Sequence, residues 1–253
     1  MAVVAYIVCG ILAGTLGGYL GLGGGIVIVP FLTLVMGLGM RAAVPVSMAA
    51  IVINSLASSS EYMKKGMVDL ELVVTLTLSM VIGMVIGSSL LSIVSPAYLK
   101  LLLAIVLIYA AYSFLKGPST SSPETNHRSA ARLFWCSVLA LAGGVIASMV
   151  GVGGGVIVIP LMYLVLGVPL GTARGTSSFV VGVAGAASLA VYFLSGIVNL
   201  SVLPPVVLGA IVGGKLGGKL GTMAKPLAVK IVFVIVILYV AGRLAWGAMG
   251  ELR

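Results

Sequence analysis

Two clusters of consecutive glycines are the residues of this chain best suited to bind a ligand. They are Gly23, Gly24 and Gly25, and Gly153, Gly154 and Gly155. Consecutive glycines interrupt a helix, and the first amides of the helix that follows have no partner within it. Those amides, together with the positive end of the helix dipole, favour an anion. Glycine also lets membrane helices approach closely, so helix packing is the alternative interpretation.

Hydroxyl groups occur at matching places after both glycine clusters. Ser47 and Ser177 lie near the start of the next apolar segment, and Ser178 follows directly. A serine hydroxyl can donate a hydrogen bond to an oxyanion without carrying charge, so we predict these three residues as ligand contacts. Small polar residues in membrane helices more often bond their own backbone or a neighbouring helix. That role is assigned to Asn54, Ser55, Ser58, Thr176 and Ser188.

The titratable residues do not favour catalysis. Every carboxylate is placed in a loop, in the polar middle of the chain or at its end, and His127 lies in that polar stretch. No carboxylate or imidazole is therefore available for a proton relay inside an apolar segment, and no nucleophile has a neighbouring base. Cys9 and Cys136 lie in apolar runs, as small buried hydrophobic residues do. We expect neither an enzyme nor a metal or cofactor.

The two glycine clusters belong to an internal duplication. Residues 21–30, GLGGGIVIVP, align with residues 151–160, GVGGGVIVIP, at an offset of 130 residues. The same offset pairs Ser47 with Ser177 and Tyr62 with Tyr192 without a gap. An apolar chain that is duplicated, with glycine breaks at matching places, indicates a transporter whose site lies between two repeats.

The composition is that of a helical membrane protein. Hydrophobic residues make up 61% of the chain and charged residues 8%, whereas soluble domains carry about 25% charged residues. Continuous apolar runs favour helices over a barrel, in which polar and apolar residues would alternate. The net charge of +9 is spread over short loops, so the cations indicate membrane topology and not nucleic-acid binding.

Each half contains five apolar segments. They cover residues 2–20, 24–38, 41–63, 69–94 and 96–116, then 132–150, 154–167, 171–194, 199–223 and 226–248. We predict an all-α fold with a first transmembrane repeat at 1–117, a polar cytoplasmic linker at 118–130 and a second repeat at 131–253. The second segment of each half is too short to cross a bilayer core of ~30 Å, so we expect a half-helix. The backbone is predicted to break at membrane depth at the glycines and at Pro30 and Pro160.

The basic residues predict that the two repeats are inverted. Lys64 and Lys65 lie in a loop whose repeat has no cation, and Lys100 stands alone where the repeat has several. One face then collects most of the positive charge, which makes it cytoplasmic and puts both termini outside. The residues on that face are Lys64, Lys65, Lys116, Arg128, Arg132, Arg174, Lys215, Lys219, Lys225 and Lys230.

The combination of motifs resembles the TauE/SafE family of sulfite and organosulfur-anion exporters. The resemblance rests on residues 21–30 and 151–160, on the serine motifs at 45–47 and 175–178, and on the turns at 66–69 and 196–199. It covers nearly the whole chain. It implies a multi-pass transporter of the cell membrane for small sulfur-containing anions such as sulfite or sulfonates. Two departures concern the exact substrate: Pro45-Val46-Ser47 replaces Ala-Thr-Ser, and Tyr62 stands where histidine is frequent.

We therefore expect a secondary transporter or facilitator that works by alternating access, with the anion at the repeat interface. An anion channel and a membrane-embedded subunit of a larger complex are the alternatives. The expected partners are the lipid bilayer and the anion, with a homodimer left open and no nucleic acid.

Overall fold

The computed structural model describes residues 2–116, 129–223 and 227–251, and these residues form helices without any strand. The helices of the first half are α1 (Ala2–Leu20), α2 (Gly25–Pro30), α3 (Met40–Lys64), α4 (Leu70–Leu90) and α5 (Pro96–Lys116). Those of the second half are α6 (Ala130–Val150), α7 (Gly155–Pro160), α8 (Leu170–Leu194), α9 (Leu203–Met223) and α10 (Leu227–Glu251). The predicted all-α fold is confirmed. Most of the predicted linker lies outside the described residues.

The surface of the fold is that of a membrane protein. Five helices are long and apolar enough to cross a membrane, namely α1, α3, α4, α6 and α8, in a search of the described residues. Large exposed aromatic side chains stand near helix ends, with Trp135 at the start of α6 and Trp246 at the end of α10. Aromatic residues at these positions are typical of the two membrane–water interfaces.

Glycines hold α1 directly against α9. Gly14 packs on this helix so closely that a Cβ atom there would lie 3.0 Å from Ala210 O and 3.1 Å from the Cα atom of Gly213. Gly10 meets the same helix near its start and Gly18 near its end, so the two helices run in the same direction. The glycines repeated every four residues are thus a packing surface.

The equivalent helices of the other repeat pack in the same way. Gly83 of α4 lies against Leu141 and Gly144 of α6, and Gly87 lies against Val145. In repeat terms, the first helix of each half packs on the fourth helix of the other half. The two repeats are therefore interlocked and do not form separate lobes.

Helices α3 and α8 cross at the centre and run in opposite directions. Gly175, near the start of α8, lies against the Met67 backbone just beyond the end of α3, whereas Gly185 lies against Val52 and Met48. Two faces of the protein can then be named. The terminal face carries the starts of α1 and α3, and the linker face carries the ends of α3 and α5 and the start of α6.

The short helix α2 returns along α1 and does not cross the protein. Gly24 lies beside Ala13 of α1, and Ile28 and Leu32 share a buried cluster with Cys9. The helix therefore begins at the centre and ends at the terminal face. Its 11 residues, Gly25 to Val35, span ~16 Å, so the prediction of a half-helix agrees with this geometry.

The expected break at the prolines is not found, and this corrects the sequence analysis. Pro30 and Pro160 each end an α-helical turn that continues as a wider π-helical turn, at Phe31–Val35 and Leu161–Val165. Met36 N donates to Phe31 O at 3.1 Å across five residues. The wider turn accommodates the missing amide hydrogen of proline without interrupting the helix.

The turn at residues 66–69 has a local physical cause. Gly66 has a φ of 66°, a left-handed conformation that ends α3. The side chain of Asp69 then caps α4 by accepting a hydrogen bond from Leu72 N at 3.3 Å. In the second repeat Gly196 and Asn199 occupy the same positions, and Asn199 Oδ1 accepts from Ser201 N at 3.1 Å.

Candidate functional site

The glycine clusters of the two repeats meet at the centre of the protein. Loop 1 is residues 21–25 and loop 2 is residues 151–155. A Cβ atom at Gly155 would lie 2.6 Å from Gly21 O and 2.8 Å from the Cα atom of Leu22. Reciprocally, Gly25 lies against Gly151 O and the Cα atom of Val152. Only glycine allows this approach, so the predicted glycines are brought together at one site.

Each loop begins with a tight helix ending. Gly21 has a φ of 75°, and Leu22 N donates to Gly17 O at 2.8 Å. This six-to-one hydrogen bond closes α1 and turns the chain away from the helix axis. Val152 N and Ala147 O repeat it at 3.1 Å in the second half.

The turn leaves backbone amides at the junction without acceptors. Among the residues that the structure describes, none accepts a hydrogen bond from these amides, which are those of Gly23, Gly24, Gly25, Ile26, Gly153, Gly154, Gly155 and Val156. Neither half-helix has a side-chain cap. Unpaired amides at a helix start carry partial positive charge and are suited to an anion.

The predicted serines join the two repeats. Ser47 Oγ donates to Gly151 O at 2.7 Å, and Ser177 Oγ donates to Gly21 O at 3.1 Å. Both side chains are fully buried. Each hydroxyl proton is thus used by the loop of the opposite repeat, and donation to an anion requires this bond to open. Ser178 is also buried, and its hydroxyl has no partner.

Two aliphatic side chains fill the space between the loops. Ile51 Cγ2 would lie 2.7 Å from a Cβ atom at Gly23 and 2.9 Å from one at Gly153. Val181, the repeat partner of Ile51, touches the same two glycines. The junction is therefore closed by an apolar pair in this structure.

The two loops differ in conformation although their sequences differ only at Leu22 and Val152. Gly24 is left-handed, with a φ of 91°, whereas Gly154 has a φ of −65°. Loop 1 packs against Gly17 of α1. A Cβ atom on Gly17 would collide with the backbone of Gly24. The matching residue of α6 is Ala147, whose Cβ atom prevents the same approach. Gly154 contacts the methyl end of Met80 instead.

Two polar residues at loop 1 were assigned to helix packing from the sequence. Asn54 Nδ2 donates to Gly23 O at 2.9 Å, and Ser55 Oγ would lie 3.2 Å from a Cβ atom at Gly23. Their repeat partners are Ala184 and Gly185, which have no polar side chain. That difference between otherwise similar repeats is the sequence signal that could have marked them.

The basic residues lie around this centre at both faces. Arg174 is half-buried near the linker face, with its guanidinium carbon 5.4 Å from the centre of the Tyr19 ring. Arg41 is exposed on the terminal face and donates to Val94 O at 3.0 Å. Lys215 and Lys219 are exposed on α9. These positions fit anchoring at the two membrane interfaces.

A cavity of about 420 Å³ opens at the terminal face. Its lining includes Thr33 at the end of the first half-helix, Lys100 at the start of α5 and Arg243 on α10. Its described lining contains these two basic residues and no carboxylate. The sequence analysis did not identify this feature, because its two cations are 143 residues apart.

The described residues offer no site for a metal. No group of three or more His, Cys, Asp or Glu residues among them lies close enough together to hold one. Cys9 and Cys136 are buried free thiols on different helices.

Comparison with known proteins agrees with this architecture. The family model described as "Sulfite exporter TauE/SafE" matches residues 6–244. The chain belongs to the TauE/SafE family. This TauE/SafE member is therefore a multi-pass membrane transporter and not an enzyme.

Curated relatives of this TauE/SafE member carry names of the same kind. The chain is 27% identical over 221 residues to "Probable membrane transporter protein YunE" of Bacillus subtilis, with 79% of this chain and 81% of the relative covered. It is 27% identical over 196 residues to a "Probable membrane transporter protein" of Xylella fastidiosa, with 77% and 75% covered. No solved structure matches the TauE/SafE member.

Proposed function

We propose that this protein exports a small sulfur-containing anion, such as sulfite or a sulfonate, across the cell membrane by alternating access. The observation that carries the proposal is the set of unpaired amides where loop 1 and loop 2 meet. The name of the family supports the substrate class. The proposed contacts are Gly23, Gly24, Gly25, Ser47, Gly153, Gly154, Gly155, Ser177 and Ser178.

Inversion of the two repeats is part of the proposal. The opposite directions of α3 and α8 support it, because these helices are repeat partners. The charge distribution agrees: Lys64, Lys65 and Arg132 lie at the linker face, which is then cytoplasmic. Arg128 and Lys225 lie outside the described residues.

Alternation would require the central apolar pair to separate. Ile51 and Val181 touch both loops, and the serine hydrogen bonds hold each loop to the opposite repeat. Movement of one repeat against the other can open the loops toward one face at a time. A closed centre of this kind supports a carrier over an anion channel.

Export of an anion needs no coupling ion under ordinary conditions. With a membrane potential of 100 mV, negative inside, outward movement of each negative charge is favoured by ~2.3 kcal/mol. The cavity at Lys100 and Arg243 would then be the exit vestibule. Arg243 in its lining would attract an anion without holding it in a closed site.

The decisive experiment combines binding and flux with the purified full-length chain. A thermal-shift screen should show stabilisation by sulfite or by one of the sulfonates sulfoacetate and taurine, with sulfate and thiosulfate as comparators, because ligands that bind the native state raise its stability. Reconstituted liposomes should then show saturable flux. Absence of binding to every anion would contradict the proposal, unitary channel currents would favour the channel, and flux that needs a second protein would favour a complex.

A further inference from the structure

We infer that the anion is held at loop 1 and not equally by both loops, with Ser55 as a hydrogen-bond donor to it and Asn54 as a positioning residue. This inference rests on the proposed function and deepens it. Its basis is a difference between the two repeats at the junction where they otherwise match.

Asn54 fixes the direction of the loop 1 backbone. Its side-chain amide donates to Gly23 O at 2.9 Å, and the residue is fully buried between α3, loop 1 and α9. The carbonyl of Gly23 and the amide of Gly24 belong to one trans peptide, so holding the carbonyl fixes this amide in the opposite direction. The Gly24 amide is one of four consecutive unpaired amides of the loop, with those of Gly23, Gly25 and Ile26.

Ser55 supplies a hydroxyl at the same loop without an internal partner. Its side chain is fully buried, its Oγ atom has no hydrogen bond, and it lies beside Gly23. Buried hydroxyl groups are nearly always hydrogen-bonded in folded proteins. An orphan hydroxyl next to unpaired amides is therefore a site that a ligand completes.

Loop 2 lacks this chemistry. Ala184 and Gly185 replace Asn54 and Ser55, so the matching positions of α8 carry neither a side-chain amide nor a hydroxyl. Ser47 places a hydroxyl at loop 2, but this hydroxyl already donates to Gly151 O. The methyl ends of Met80 and Met84 lie near Gly154, where the first repeat's counterparts on α9 are the smaller Ala210 and Gly214. Loop 2 thus has an apolar cover where loop 1 has polar groups.

The ligand class follows from the donors. Amides and a hydroxyl are neutral donors that converge from several directions, and an oxyanion such as sulfite offers several oxygens to accept them. Asn54 Oδ1, by contrast, is an acceptor and is unsuited to contact an anion. This separates the roles of the two neighbours: Ser55 contacts the anion, and Asn54 orients the loop.

The test measures sulfite binding to the purified full-length chain by calorimetry, together with the melting temperature without ligand. Ser55→Ala should raise the Kd for sulfite about tenfold or more, as the loss of a hydrogen bond to a charged group does. Its melting temperature should not fall, because alanine removes an unsatisfied buried hydroxyl. Ser55→Thr should keep most of the affinity. Ser188→Ala is the matched control, since Ser188 is equally buried on α8 but two helical turns beyond Val181.

The outcomes separate this inference from the proposed function. If the unaltered protein binds no sulfur anion, the proposed function fails. If it binds but Ser55→Ala keeps the full affinity, or Met80→Ala weakens binding as much as Ser55→Ala does, the assignment to loop 1 is overturned. Asn54→Ala should raise the half-saturating sulfite concentration in liposomes while maximal flux stays near its original value. A loss of maximal flux alone would contradict the positioning role.

Discussion

Ser47 donates a hydrogen bond of 2.7 Å to the carbonyl oxygen of Gly151, a residue of the opposite repeat. Ser177 forms the equivalent bond to Gly21 at 3.1 Å. The serines predicted as anion contacts therefore also hold the two halves together in the closed structure. A hydroxyl that changes its acceptor from a carbonyl to an anion couples binding to release of the opposite loop.

Alanine at these serines should change both stability and affinity. Loss of an interhelical hydrogen bond in a membrane protein averages ~0.6 kcal/mol, so each variant should melt at a lower temperature without ligand. Binding of sulfite should weaken by about 1 to 3 kcal/mol, with the larger effect at Ser177, whose hydroxyl lies at loop 1. Thermal melting with and without sulfite measures both. A lowered melting point with unchanged affinity would leave the serines as structural ties only.

The two central glycines should respond differently to alanine. At Gly24 the left-handed φ of 91° costs an L-residue about 1–2 kcal/mol, and a Cβ atom would lie 2.6 Å from Ala13 O. At Gly154 the φ of −65° suits any residue, and the obstacle is the flexible end of Met80. Gly24→Ala should abolish sulfite flux with membrane expression retained, and Gly154→Ala should reduce it less.

A second substitution checks the cause of the Gly154 effect. The double variant Met80→Ala and Gly154→Ala should recover flux. The substitution at Met80 removes the side-chain methyl group that would collide with the new Cβ atom of residue 154. Gly154→Val is expected to abolish flux because its larger side chain also fills the loop. Normal flux in Gly24→Ala would place the anion site away from loop 1.

The sequence predicted the half-helices and the glycine loops because their signals are local. Glycine clusters, short apolar segments and a fixed offset of 130 residues are all visible along the chain. The interlocking of the repeats was not predicted, because a repeat pattern does not say which helices pair. The difference between loop 1 and loop 2 depends on Gly17 and Ala147, one turn before each loop, and on contacts with α3 and α4. These differences can be interpreted only when it is known which residues lie close together in space.

Inverted repeats predict opposite accessibility for two equivalent turns. Lys65 and Ser195 are repeat partners, and both are exposed in turns that follow α3 and α8. With Cys9 and Cys136 removed, a cysteine at position 65 should react with a membrane-impermeant reagent only from the cytoplasm. A cysteine at position 195 should react only from outside. Labelling of both positions from one side would rule out inversion.

Arg243, in the cavity at the terminal face, should act on the anion through long-range attraction. Arg243 lines the cavity with Lys100, whereas Arg41 lies on the same face outside its lining. Arg243→Gln should therefore slow sulfite flux by about two- to tenfold at low ionic strength, where charges act over ~30 Å. At 0.1 M salt the screening length falls to ~10 Å, and the difference should shrink.

Arg41→Gln is the matched control for that measurement, since it removes the same charge from the same face. Initial rates in liposomes across a series of salt concentrations give the comparison. A vestibule at the cavity predicts a steeper salt dependence for the unaltered protein than for Arg243→Gln, with Arg41→Gln in between, because its charge lies on the same face but outside the lining. Equal slopes for all three proteins would show that the cavity takes no part in the anion path, because a charge that lines the path must contribute to attraction at low salt.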